Sequence, residues 1–180
     1  MLFETYSLGK IKNKVANTEP IFRNSNLIDI NIRAVKSGDI NNSHVFTNGL
    51  SSYEFCTLSR FAGLSSNLDL ISFSSPYQSS SISSLISEGI WYAIDGMNNV
   101  IDENVDLNSE NFVIYNVTVN NHDLKFVKSS ITNRWWVSID NINIVQMEKS
   151  YIPCVEDDYR LSKNSILSDR ILSVSYTHLR

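Results

Sequence analysis

Apolar and polar positions alternate or recur along this chain with periods that mark out a series of elements. Leu27, Ile28, Ile30 and Ile32 form a short run rich in β-branched residues, predicting a strand covered on both faces. Phe55, Leu58 and Ala62 recur at helical spacing after Ser51, with Glu54 three residues beyond it. That is a capping box opening a helix for which Gly63 is the expected stop. Leu68 to Phe73 predicts a second strand, and a serine-rich link, residues 74–81, leads to the most strongly periodic segment. There Ile82, Leu85, Ile86, Gly89, Ile90, Ala93 and Ile94 predict a long helix with one face on a sheet and with Glu88 and Asp95 in water. Strand, helix, strand, helix in this order implies parallel pairing through a right-handed crossover.

Beyond residue 100 the period shortens. Residues 112–119, 124–128 and 134–139 read as strands separated by Asn-rich turns, an antiparallel β appendage spanning about residues 105–170. Its last part, Ser150 to Asn164, is expected to hold a short helix that starts at Glu156-Asp157-Asp158, acidic residues favoured by the helix dipole, with Tyr159 and Leu161 facing inward. At the other end, Ile11 and Val15 suggest a short helix that breaks at Glu19-Pro20, where proline can begin another turn. Residues 33–48 form a polar loop at the C-terminal end of the first strand, the place where open α/β sheets hold their ligands. The fold expected is therefore α/β, with a parallel part over about residues 8–100 followed by the β-rich appendage. The last residues, 174–180, read as translated adapter sequence and are set apart from the fold as a non-native tail.

Composition narrows the functional classes. With 180 residues, 42% apolar, the chain can bury a core, and 19% charge is too little for a disordered tail. A net charge of −4 without a long basic run argues against a nucleic-acid partner. No stretch approaches the roughly 20 apolar residues of a membrane helix, so a cytoplasmic protein without membrane attachment is expected. Cys56 and Cys154 lie far apart with no CxxC spacing and are expected to be buried, reduced thiols. The sequons at Asn41 and Asn116 carry little weight without a secretion signal.

Several segments together carry a resemblance: the strand ending Asp29-Ile30-Asn31-Ile32-Arg33, the helix start Asn48-Gly49-Leu50-Ser51-Ser52-Tyr53-Glu54, Phe73-Ser74-Ser75-Pro76, Ile90-Trp91-Tyr92-Ala93-Ile94-Asp95-Gly96, Asn133-Arg134-Trp135-Trp136, and residues 151–159. Over about residues 8–170 the chain resembles the C-terminal half of the ureohydrolase superfamily (arginases, agmatinases and formimidoylglutamases), closest to a formimidoylglutamase-like branch. The resemblance implies part of a three-layer α/β/α arginase-like fold. It also implies kinship with manganese-dependent hydrolases of amidine or guanidine C–N bonds, which act on small substrates such as N-formimidoyl-glutamate.

The chemistry implied by that resemblance is broken in this sequence. In the family, an S-F-D-x-D motif supplies two carboxylate ligands to paired manganese ions, hard cations that take oxygen and nitrogen donors. On that motif Asn31 stands at the first aspartate and Arg33 at the second; a register that uses Asp29 instead still leaves Asn31 at the other position. A guanidinium roughly 4 Å from a cation adds repulsion of about 4 kcal/mol per unit of cation charge at an effective dielectric near 20. The family's upstream G-G-D-H and D-A-H-x-D motifs are absent, and His44, His122 and His178 lack such neighbours. No catalytic residue, metal ligand or cofactor is therefore expected.

Glu54 does match, standing where the family's G-L-T-Y-R-E motif places a glutamate that contacts the substrate's amidine or guanidine through a charge-assisted pair. Its other reading is the capping box alone. Trp135 and Trp136, adjacent on a strand, must face opposite sides of the sheet, one expected in the core and one at the surface or an interface. For the outer ring, sugar stacking helped by Tyr115 is a further reading.

Two functional expectations follow. One is a fragment or degenerate member of the family, inactive as this chain. The other is a non-catalytic pseudoenzyme or binding subunit, in which Arg33 and Glu54 bind each other or a small anion and the chain joins a homologous partner or forms a homo-oligomer. A chain with no selected function is a third reading, and an unprotected sheet edge beside residues 27–32 would then lower its solubility.

Overall fold

The structure, a computed structural model, describes residues 5–42, 46–120, 122–139 and 151–172. His44, His178, the sequon's Ser43 and the tail at 174–180 lie outside the described residues. The protein is mixed α/β, with a two-stranded parallel sheet and a four-stranded antiparallel sheet. These fall in two compact units, one of Tyr6–Asp102 and one of the described residues from Glu103 onward.

The first unit opens with three short turns of helix: α1 (Leu8–Asn13), a tighter turn at Val15–Thr18, and α2 (Glu19–Phe22) with Pro20 in its first turn, where the missing N–H costs nothing. β1 (Leu27–Asn31) then pairs in parallel with β2 (Leu70–Ser74), Leu27 opposite Leu70 and Asn31 opposite Ser74. Between them lie α3 (Ser37–Ile40) and α4 (Ser52–Gly63), and after β2 comes α5 (Ser80–Asn98).

β1 differs from its expected form. It is covered on one face only: Ile28 and Ile30 point inward, while Leu27, Asp29 and Asn31 are exposed. With two strands in the sheet and the helical core on the Ile30 side, the outer face carries Leu27 and Leu70, 68% and 52% exposed.

The core of this unit joins Ile32, Val35, Ile40, Phe55, Cys56, Ile82 and Leu85, with Ile30, Phe73 and Tyr77 packed against it. Phe55 and Phe73 meet with ring centroids 6.2 Å apart, and both rings press on Gly89 of α5. α4 and α5 approach each other backbone to backbone. A Cβ on Gly63 would lie 2.0 Å from the Ala93 carbonyl oxygen, and one on Gly96 would lie 2.4 Å from the Arg60 carbonyl oxygen. Gly63 thus serves the helix contact, and its φ is not in the left-handed region that a glycine stop would use. The same crossing turns α5 so that Ile82, Leu85, Gly89, Ala93 and Gly96 are buried, leaving Ile90 and Ile94, expected in the buried stripe, exposed. Arg60 Nε donates to Asp95 Oδ2 at 2.7 Å across the pair, a half-exposed bridge worth at most about 1 kcal/mol.

The second unit is a meander of β3 (Phe112–Val119), β4 (His122–Ser129), β5 (Trp135–Ile139) and β6 (Ile152–Cys154), each antiparallel to the next. Asn120 and Asn133, with φ of 50° and 59°, take the left-handed turn positions that asparagine tolerates. β6 falls in a stretch read as helix and loop; three residues containing Pro153 show no usable period, and their strand form follows from pairing with the edge of β5. The helix expected after it is α6 (Glu156–Lys163), where Asp158 accepts a hydrogen bond from Val155 N at 3.0 Å. On one face of the sheet Trp135, Tyr115 and Tyr159 form a cluster of three mutually touching rings, with Trp135 5.3 and 5.2 Å from the two tyrosines and these 5.0 Å from each other. On the other face Trp136 meets Phe112 edge-on at 6.0 Å. Both tryptophans are buried, so neither is the surface anchor expected, and Tyr115 partners the inner ring.

The glycine contacts make a direct test. Gly63→Ala is expected to lower stability by about 2–3 kcal/mol in urea titration, because backbone rather than a side-chain tip blocks the added methyl. Gly9→Ala in α1, with open space around it, is expected to be neutral or slightly stabilising.

Candidate functional site

The C-terminal ends of β1 and β2 are where a parallel sheet offers a site, and the local sequence decides what stands there. After Asn31 the chain turns at once through a tight helical turn, Ile32–Ala34, driven by burial of Ile32 and Val35 in the core. Asn31 caps that turn, its Oδ1 accepting from Arg33 N at 2.9 Å. Both Asn31 and Arg33 are exposed. Beside them, Asp29 Oδ2 accepts from Ser74 Oγ at 3.1 Å on the open face of the sheet.

The loop that follows folds back on the strand end. Val35 and Leu50 form a single parallel bridge, with Lys36 N donating to Leu50 O at 2.9 Å and Leu50 N to Ala34 O at 2.7 Å. Gly49 lies so close to this segment that a Cβ would come within 2.7 Å of Ala34 O and of Lys36 N. Lys12 Nζ, far away in sequence, donates to Gly49 O at 3.0 Å.

This return brings Asp39 to the start of α4, where Glu54 of the helix itself already stands. Glu54 Oε2 accepts from Ser51 N at 2.6 Å and from Ser51 Oγ at 2.9 Å, while Ser51 Oγ accepts from Glu54 N, completing the capping box. Asp39 Oδ2 accepts from Ser52 N at 2.7 Å and Ser52 Oγ at 3.0 Å, and its other oxygen lies 3.1 Å from Lys36 Nζ. The Ser52 amide, with lesser help from Lys36 and the Ser52 hydroxyl, holds the Asp39 carboxyl below the usual aspartate range. The positive end of the helix is thereby neutralised by the chain's own side chains.

The residues singled out from the sequence thus meet only in part. Asn31, Arg33 and Ser74 share the strand end, whereas Glu54 is engaged at the α4 cap and forms no ion pair with Arg33 among the described residues. Phe73 is packed into the core against Phe55. Ser75 closes the turn around Pro76, its Oγ accepting from Tyr77 N at 3.1 Å. His122 is exposed at the start of β4 in the other unit. Asp39 was visible only as part of a polar loop; its i,i+3 spacing from Lys36 was a local signal, but its contact with Ser52 was not. Both cysteines are buried, and burial, with Glu88 adding to it, pushes the Cys56 thiol pKa up.

The donor set does not suit a manganese pair. Asn31 spends its amide oxygen on its own turn, Arg33 brings a cation, and Asp29 is the sole carboxylate on the strand. Among the described residues no group of three or more His, Cys, Asp or Glu is placed to hold a metal ion. No helix among them is long and apolar enough to cross a membrane.

No protein-family model, curated protein or solved structure matches this chain.

Two substitutions separate the carboxylates at the α4 start. Asp39→Asn is expected to cost about 1 kcal/mol at neutral pH. Because the folded-state pKa lies below the unfolded one, that difference is present above the ordinary aspartate range and disappears as pH falls through the folded value, which urea midpoints at several pH values will show. Glu54→Ala is expected to cost about 0.5–1 kcal/mol through the lost capping box.

Proposed function

We propose that this chain is a fragment or degenerate member of the ureohydrolase family, catalytically inactive as it stands. In this reading the β1–α4–β2–α5 segment is part of a three-layer arginase-like fold, and the protein works in the cytoplasm. The observation that carries it is the strand end itself. An amide and a guanidinium, Asn31 and Arg33, stand at the mouth of a parallel strand pair while the capping box at Glu54 persists. Mixed α/β architecture with parallel β1 and β2 is compatible with that descent. Glu54 keeps a substrate-facing role in the family and a capping role in this chain, and only the second needs no further residue.

The exposed outer-face leucines of the β1–β2 sheet, whose two strands have no further partner strand among the described residues, favour a second reading, a non-catalytic subunit that joins a homologous partner. Parallel sheets are ordinarily covered on both faces, so exposure of Leu27 and Leu70 marks surface that association would bury.

Activity measurements decide the first reading. With added manganese the protein is expected to show no hydrolysis of formimidoylglutamate, arginine or agmatine, and no manganese binding by calorimetry. Turnover of any of the three overturns it. For the second reading, tight binding to a full-length ureohydrolase is the expected result, and failure to bind any member of that family counts against it.

A further inference from the structure

Asn48-Gly49 is the single Asn-Gly dipeptide of the chain. It lies in the loop that folds back on the end of β1, shortly after Phe46, which is 78% exposed, and Asn48 is itself exposed. Among the described residues the Asn48 side chain makes no hydrogen bond, and neither Asn48 N nor Gly49 N donates one. The side-chain amide carbon and the backbone nitrogen that follows it are thus both unengaged. Glycine also lacks the Cβ that, in any other residue, crowds attack by that nitrogen. The flanks of the dipeptide are tied down. Ser37 N donates to Phe46 O at 3.0 Å, Lys12 Nζ to Gly49 O at 3.0 Å and Leu50 N to Ala34 O at 2.7 Å, so residues 47 and 48 span the gap between two fixed points.

We propose that Asn48 is a spontaneous deamidation site whose isoaspartyl product loosens the strand-end loop. The Gly49 main-chain nitrogen gives its proton to hydroxide and attacks Asn48 Cγ. The N–Cγ bond forms as the Cγ–Nδ2 bond breaks, and Nδ2 takes a proton from water and leaves as ammonia. The resulting succinimide adds water. Opening at Cγ gives an aspartyl residue at position 48, and opening at the main-chain carbonyl gives an isoaspartyl one. Water is the only reactant consumed and ammonia the only molecule released, so no oxidant or cofactor is needed. The isoaspartyl product routes the main chain through Cγ and so adds a methylene between Phe46 and Gly49. Gly49 cannot absorb that length by moving inward, since even a Cβ there would lie 2.7 Å from Ala34 O and from Lys36 N. The strain therefore falls on the Val35–Leu50 bridge, and through it on the reach of Asp39 to Ser52. The inference is independent of any ureohydrolase descent.

Incubation of the full chain at mildly alkaline pH and physiological temperature, followed by tryptic peptide mapping, tests it. In the peptide of residues 37–60 the expected product carries the mass of a carboxyl in place of an amide, with fragment ions placing the change at position 48. It is expected to accumulate severalfold faster than the same change at Asn24 or Asn108, each of which precedes a serine. An isoaspartyl methyltransferase is expected to label the aged chain in that peptide, and the labelled fraction is expected to unfold at lower urea than the fresh chain. Asn48→Gln, at an exposed position without hydrogen bonds, is expected to abolish the labelling and leave the stability of the fresh chain unchanged. An Asn48 that stays intact in the folded chain over a time in which the urea-unfolded chain deamidates overturns the proposal, as does an isoaspartyl product that unfolds at the same urea concentration as the fresh chain.

Discussion

The close approach of α4 and α5 governs the first unit, and it exists because Gly63 and Gly96 carry no Cβ where the two backbones meet. Once the helices are that close, Gly89 is brought against the rings of Phe55 and Phe73, which fixes the helix pair on the inner face of the sheet. The rotation of α5 is then no longer free. Ala93 and Gly96 must face α4, and the isoleucines that share the apolar arc, Ile90 and Ile94, are carried outward. A buried contact thus determines an exposed one, through the 100° step of the helix.

That helix pair also places the start of α4 beside the end of β1, and the intervening loop does the rest. Val35 and Leu50 draw the loop back along the strand, so that Asp39 reaches the Ser52 amide at the start of α4, beside the local capping box of Ser51 and Glu54. A helix N-terminus that lines a ligand site ordinarily keeps donors free for the ligand. In this chain Ser51 N and Ser52 N are taken by internal carboxylates, and the strand-end amide Asn31 is taken by its own turn. The strand-end region is therefore self-satisfied in its hydrogen bonds. This is the behaviour of a structural corner.

The antiparallel unit shows a related economy of side chains. Trp135 packs in a cluster with Tyr115 and Tyr159 and lies beneath the cation of Lys128, 5.6 Å from its ring, while Trp136 is buried on the reverse face. Adjacent aromatic residues on a strand imply opposite faces from the pleat alone. That both rings are buried is a property of the assembled unit. Glu103 contributes from outside the sheet, accepting hydrogen bonds from the hydroxyls of Ser129 and Thr132 and so organising the β4–β5 turn.

Local order was legible in the sequence wherever its cause was local. The Ser51–Glu54 capping box, the α5 period, the three long strands of the meander and the acidic start of α6 all depend on residues within one turn or one strand of each other. The parallel pairing of β1 with β2 was also legible, because the order of elements leaves few other connections. What sequence could not give was anything decided at a distance. It misplaced the role of Gly63 and the outward turn of Ile90 and Ile94, since both follow from how closely another helix approaches. It missed β6, the Lys12 contact with Gly49 and the Asp39 contact with Ser52, whose partners are far along the chain. Sequence by itself determined the Ser51–Glu54 capping box, which closes within three residues. Only the tertiary structure decided that Asp39 joins it at the start of α4, because Ser52 comes within reach of that carboxylate only when the loop closes through Val35 and Leu50.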